Sequence, residues 1–391
     1  MCPDLGVGRN STIVALSRLH DAFGDGGRRK SMQPVRAPEL DPGKTKSAQP
    51  ANVGPGIMVD LTDVHEGRTV RFEPTTERIR KILTEWRRAR AAGILTSAEV
   101  SRLLGKVQFL LSAVYGRVGR AASQPLVQRV HWDNTVAFTP TLVAAHDFFE
   151  ALLAPGTLPA LVVPIDGDAR SPLLIYTDAA FRWKRKRQRE CDPGQKEQGW
   201  IPSDALAPMQ PWQFHGQLGY VEYDPEDGFF EYGDTEPSPA LVRQLLVHER
   251  KTYIAQLETL AAVSVYSSLE PSRLAGRAVN HFVDNTVALS SLIHGYSSRE
   301  DMALITNVFH LQAAALRVSI YLEYVPSKAN IADLPSRSEY TLLRSMGAQP
   351  GHHASACSGR VERATVRVGA RRGSGCEGGG MGCLRGRHRR G

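Results

Sequence analysis

Apart from a brief "STIVALSRLHDAF", apolar and polar positions follow little regular order until Ile57, and from there the order changes twice. "GIMVDLTDV" and "RTVRFEP" alternate over short runs around Glu66-Gly67 and predict two strands with a turn between them. "TTERIRKILTEWRRARAAG" then places Ile79, Ile82, Leu83 and Trp86 at helical spacing, with Gly93 as the stop. A second helix is predicted over "TSAEVSRLLGKVQFLLSAV". Thr96 and Glu99 stand at capping-box spacing, and Val100, Leu103, Leu104, Val107, Leu111 and Val114 share one face. The remaining faces and the loop after them carry Arg80, Lys81, Arg87, Arg88, Arg90, Lys106, Arg117 and Arg120. Such residues ordinarily solvate a helix, and they also suit a phosphate backbone.

Past Leu161 the period shortens to that of a sheet. "LLIYTDAA" reads as a buried strand, and "GQLGYVEYDPEDGFFEYG" as a hairpin turning at Asp224–Gly228. "TYIAQLETLAAVSVYSSL" is a helix, "RAVNHFVDNTVAL" a strand, "SREDMALITNVFHLQAAALR" a long helix and "LRVSIYLEYV" a closing strand. Hairpins first and helical crossovers later predict an α/β fold with a mixed sheet flanked by helices. The expected segments are a disordered stretch at 1–54, a small helical unit at 55–135, a linker at 136–160, the sheet domain at 161–340 and a disordered Gly/Arg-rich tail at 341–391. Residues 181–214 form a polar insertion whose "RWKRKR" ordinarily belongs to a solvated loop.

The net charge of +8 adds little, because ten arginines and two glutamates of residues 341–391 account for it. The other 340 residues carry 38 basic and 38 acidic groups, so only local patches bear on partners. No run of 18 apolar residues and no basic-then-apolar leader is present, so no membrane partner is expected. The five cysteines form no CxxC pair, which fits a reducing, intracellular setting, cytoplasmic or nuclear.

Four acids draw attention. Asp178 and Asp284 close two of the predicted strands, Glu258 sits among small apolar residues of a helix, and Asp333 follows the last strand. A lone charge on an apolar face is costly, and acids brought together raise one another's pKa. Any one of them is ordinarily a cap or turn residue. Together, from different elements, they suit Mg²⁺ or Mn²⁺, since oxygen ligands without His or Cys select hard cations. Two such ions could drive phosphodiester hydrolysis. His281, His294 and His310 are scattered and read as structural.

The pattern "YTDAA … QLETLA … FVDNTVAL … YVPSKANIADLPSR" resembles the ribonuclease H domain of retroelement polyproteins, most nearly those of DIRS-like elements, over about 161–340. The resemblance implies a ribonuclease H-like fold and a two-ion site on Asp178, Glu258, Asp284 and Asp333. It also implies cleavage of the RNA strand of RNA–DNA hybrids. The segment upstream resembles the end of a reverse-transcriptase palm followed by thumb and connection. No adjacent Asp-Asp pair occurs anywhere, so polymerase activity is not expected and a separate reverse-transcriptase chain becomes a candidate partner. Asn285, Lys328, Asn330, Lys106 and Arg117 are the nucleic-acid-binding candidates. The sequence departs from many ribonucleases H in lacking a His in "YVPSKAN" and in placing Asn330 three residues before Asp333, features that the resemblance to retroelement relatives accommodates. The alternative reading is a decayed element that binds nucleic acid without cutting it.

Overall fold

The computed structural model describes residues 51–53, 56–114, 117–133, 135–157, 160–165, 170–183, 214–237, 241 and 252–351. The expected N-terminal stretch through residue 50, the body of the 181–214 insertion and the tail beyond 351 lie outside the described residues.

The first part pairs a small sheet with a helical cluster. Strands β1 (Ala51–Val53), β2 (Ile57–Asp60), β3 (Thr69–Pro74) and β4 (Leu161–Pro164) are joined in that order, each antiparallel to the next. Helix α1 (Thr76–Ala92) begins where the Thr75 hydroxyl accepts the Arg78 N–H, and it stops at Gly93, whose φ of 67° suits a residue without Cβ. Helix α2 (Ser97–Leu111) carries the expected capping box of Thr96 and Glu99. Helix α3 (Gln124–His131) and helix α4 (Pro140–Leu152) complete the cluster. Trp86, Val100, Leu126 and Phe149 are fully enclosed at its centre.

Two expectations are corrected here. The linker expected over 136–160 contains α4, which buries Leu142, Ala145 and Phe149 against α1 and α2, so the segment is core. Leu161–Pro164, expected to open the sheet domain, pairs instead with β3. Apolar content alone does not say which edge a strand joins.

The second sheet has the order β10-β7-β6-β5-β8-β9 among the described residues. It comprises β5 (Leu173–Trp183), β6 (Phe214–Tyr223), β7 (Phe230–Thr235), β8 (Ala278–Val283), β9 (Ser319–Tyr324) and β10 (Gln349–Pro350). β5, β6 and β7 are antiparallel neighbours, while β8 and β9 run parallel to β5. This is the predicted mixed α/β sheet with helices on both faces. Leu173 and Ile175 face α5 (Ile254–Ser268) and α8 (Glu300–Leu316), with Val279, Val283, Leu260 and Val265 in the same core. The short α6 (Pro271–Leu274) and α7 (Thr286–His294) flank β8. The opposite face, with Val221 and Tyr232, is covered by α9 (Asp333–Ser336) and α10 (Thr341–Ser345).

The disordered tail expected from 341 is therefore corrected as well. Residues 341–351 form α10 and β10, with Leu343 fully buried and Gln349 paired to Glu231. Likewise Ala51–Val53, inside the expected disordered 1–54, is a strand. No described helix is long and apolar enough to cross a membrane.

Candidate metal centre

Because β8 lies parallel to β5, with Thr177 opposite Val283, the next residues along the two strands, Asp178 and Asp284, emerge side by side. Helix α5 brings Glu258 to the same place. One carboxylate oxygen from each of Asp178, Glu258 and Asp284 lies within 4.8 Å of the other two. Asp178 and Glu258 are buried and Asp284 is half-buried. The electrostatics follow from that crowding. Burial raises the Asp178 carboxyl to about 6; the Ser336 hydroxyl opposes the rise, and the Asp284 and Asp333 charges add to it. Burial pushes Glu258 well above the ordinary carboxylate range, with Asp178 and Asp284 acting in the same direction. Glu258 Oε2 is enclosed and has no hydrogen-bond partner among the described residues.

Asp333 reaches the rim of this cluster without joining it. It perturbs Asp178, but its Oδ1 is held by Arg337, with Nε at 2.8 Å and Nη2 at 2.6 Å. So three of the four expected acids share one set of distances, and the fourth is turned toward a guanidinium beside them. The loop that delivers it is fixed by Asn330, only 4% exposed. Asn330 Nδ2 donates to Thr177 O at 3.0 Å, and its Oδ1 accepts from Ala332 N. That bond ties the loop to β5 one residue before Asp178. Helix α9 then lies directly on Gly219 of β6, where an added Cβ would stand 2.9 Å from Ala332 O.

The nucleic-acid candidates separate. Asn330 is buried and structural. Asn285 caps α7, its Oδ1 accepting from Val287 and Ala288 N–H. Lys106 is paired with Glu85. Lys328, in a single 3-10 turn (Ser327–Ala329), and Arg117 stay exposed, and no described carboxylate pairs with either. Of the three histidines, His281 is enclosed between Thr177 and Tyr266, and His310 bonds Leu292 O at 3.0 Å.

Sequence reasoning missed Ser336. Its buried hydroxyl donates a short bond to Asp178 Oδ2 and lies 3.1 Å from Asp333 O. The signal was present in "ADLPSR", but only the packing of α9 on β6 shows which acid the serine meets. It also missed a second acid group, His146, Asp147 and Glu150, whose ligand atoms lie equally close. There Arg87 and Arg90 bond Glu150 and Asp147, so the charge is already neutralised.

No protein-family model matches the sequence, and neither does any curated protein. Among solved structures, ribonuclease H1 from the halophilic archaeon Halobacterium salinarum NRC-1 aligns at 12% identity. The alignment covers 43% of this chain and 99% of that chain, with a TM-score of 0.26. A likeness of that score leaves any assignment to rest on the residues of the site.

Proposed function

We propose that the chain is a metal-dependent nuclease of ribonuclease H type, derived from a retroelement, that hydrolyses the RNA strand of RNA–DNA hybrids. One observation carries the reading: three carboxylates from β5, α5 and the end of β8 converge at one rim of a mixed sheet, two of them buried, and their charges repel.

The donor set fits a hard divalent cation. All the ligand atoms are oxygen, Glu258 Oε2 has no other partner among the described residues, and a cation would offset both the burial and the repulsion that raise these pKa values. Asp178, Glu258 and Asp284 are the residues that would hold Mg²⁺ or Mn²⁺, with Asp333 available at the rim as Arg337 yields it. Bound there, divalent ions supply charge stabilisation and an activated water for phosphodiester displacement. The chain's own part is to hold the acids rigidly, through Asn330 on β5, Ser336 on Asp178 and the Asn285 cap behind Asp284. Preference for RNA follows if its 2′-hydroxyl is read beside the acids, since DNA lacks that group.

In this reading the upstream segment is a remnant of a polymerase without its Asp-Asp pair, and a separate reverse transcriptase is its partner. The Arg337–Asp333 pair favours a second reading, a nucleic-acid-binding protein that has lost turnover.

The test is cleavage of a labelled hybrid by the full chain with Mg²⁺ or Mn²⁺. The RNA strand is expected to be cut, and Asp284→Asn is expected to lower the rate at least a hundredfold. Binding of the hybrid without cutting in either metal establishes the second reading instead.

A further inference from the structure

Helix α7 runs from the acid cluster toward a pair of arginines. It begins at Asn285's cap, directly after Asp284, and closes at Gly295, whose φ is 64°. Nine residues at about 1.5 Å each separate the acids from that far end by roughly 13 Å. Arg117 and Arg120 stand there. Both are exposed, and no described carboxylate pairs with either. Arg120 Nη1 lies 3.4 Å from His294 O, which suits the negative end of a helix. A single guanidinium serves that purpose, and the second adds repulsion without a counter-charge among the described residues. Beneath them His310 is held neutral, its pKa lowered to about 4 by burial, with the two arginines adding to the shift.

The pair is also fixed in place. The Arg117 stem lies over Gly295, where an added Cβ would stand 3.1 Å from Arg117 Cδ. Gly119 N donates to Asn307 Oδ1 at 3.3 Å and Gln124 Nε2 to Ser298 O at 3.2 Å, tying this segment to α8 and the loop before it. Between the two ends, the exposed residues of α7 are Thr286, Val287, Ser290, Ile293 and His294, with no acid among them.

We propose that Arg117 and Arg120 form a second phosphate-backbone contact for a nucleic-acid duplex, held by α7 at a set distance from the acid cluster. This rests on the nucleic-acid reading above and names which part of the upstream segment takes hold of the substrate. Duplex phosphates recur about every 3.4 Å along each strand, so 13 Å corresponds to on the order of four base pairs along the axis. The contact reads charge and not sequence.

The experiment uses the full chain carrying Asp284→Asn, so that hybrids are bound and not consumed. Affinity is measured by fluorescence anisotropy for hybrids of decreasing length at several salt concentrations, with and without the double substitution Arg117→Gln/Arg120→Gln. The double substitution is expected to weaken binding of long hybrids at least tenfold. It is also expected to lower the slope of log affinity against log salt by about 2, one unit per lost phosphate contact. Shortening the hybrid past the arginines is expected to weaken the parent and leave the double variant unchanged. Arg117→Lys/Arg120→Lys is expected to restore most of the slope. An unchanged slope with a lowered Tm shows a helix cap alone and overturns the proposal, as does equal sensitivity of parent and variant to hybrid length. A chain with Asp284 intact that fails to cut, while the slope still falls, sinks the nuclease reading and leaves this contact standing.

Discussion

Asp178 is the residue where stability and the proposed metal site pull in opposite directions. Its carboxyl is protonated more readily in the folded chain, at about 6, than at its ordinary 3.8. A raised acid pKa means the folded state binds more protons, so stability is greatest below about 3.8 and declines as pH rises to about 6. A shift of that size corresponds to about 3 kcal/mol. Metal-free protein is therefore expected to lose Tm between about pH 4 and 6, and millimolar Mn²⁺ is expected to restore it. Asp178→Asn is expected to abolish cleavage while raising Tm at pH 7.5 in chelator, since it removes a buried repelled charge and retains a polar group for Ser336. Thermal scans with and without cation check both statements. A lower Tm for the variant in chelator would show that the carboxylate is stabilised by something other than a metal. At this scale the sequence marked the acids out, while whether they meet depended on which strands are neighbours. "VDN" and "YTDAA" point to Asp284 and Asp178, but nothing in "IADLPSR" shows that Asp333 turns to Arg337 four residues on.

Among the elements, the short loop between β9 and α9 has the largest consequence for the site. Asn330 fastens it to Thr177 O, and Gly219 leaves room for α9 to lie on β6. Asn330→Ala removes a buried donor and leaves the Thr177 carbonyl without it, a loss of about 1–3 kcal/mol. The expected result is a lower Tm together with a weaker response of Tm to Mn²⁺, because Ser336 and Asp333 ride on the same loop. A normal cation response would place Asn330 in the fold alone. Helices α1 and α2 were readable because their starts and stops are local, in Thr75, Gly93 and the Thr96–Glu99 box. Helix α4 was not, since "PTLVAAHDFFEALL" draws its meaning from the core that receives Phe149.

Taken whole, the molecule extends the acid-bearing unit further toward its C-terminus than composition indicates. Leu343 and Ala348 close the face that holds Val221 and Tyr232, and β10 adds an edge to the sheet. A chain ending at Tyr340 is expected to unfold at lower temperature and to expose apolar surface to a hydrophobic dye, a comparison that calorimetry and dye fluorescence settle together. The Gly and Arg that follow drew the expected boundary back to 341, because a low-complexity run dilutes the short apolar signal before it. The upstream part shows the converse. β4 belongs by sequence position to the later region and by pairing to the earlier sheet.

The chain's pattern was sufficient for the class of fold, for the main strands and helices between Ile57 and Tyr324, and for singling out Asp178, Glu258 and Asp284, which the structure brings together, since each depends on neighbours within a few residues. The partner of every strand edge, the separation of Asp333 from the other three, the Ser336 bond and the place of Arg117 beside α7 all join residues far apart in the chain. Those depend on how the two sheets and their helices pack, which no local spacing encodes.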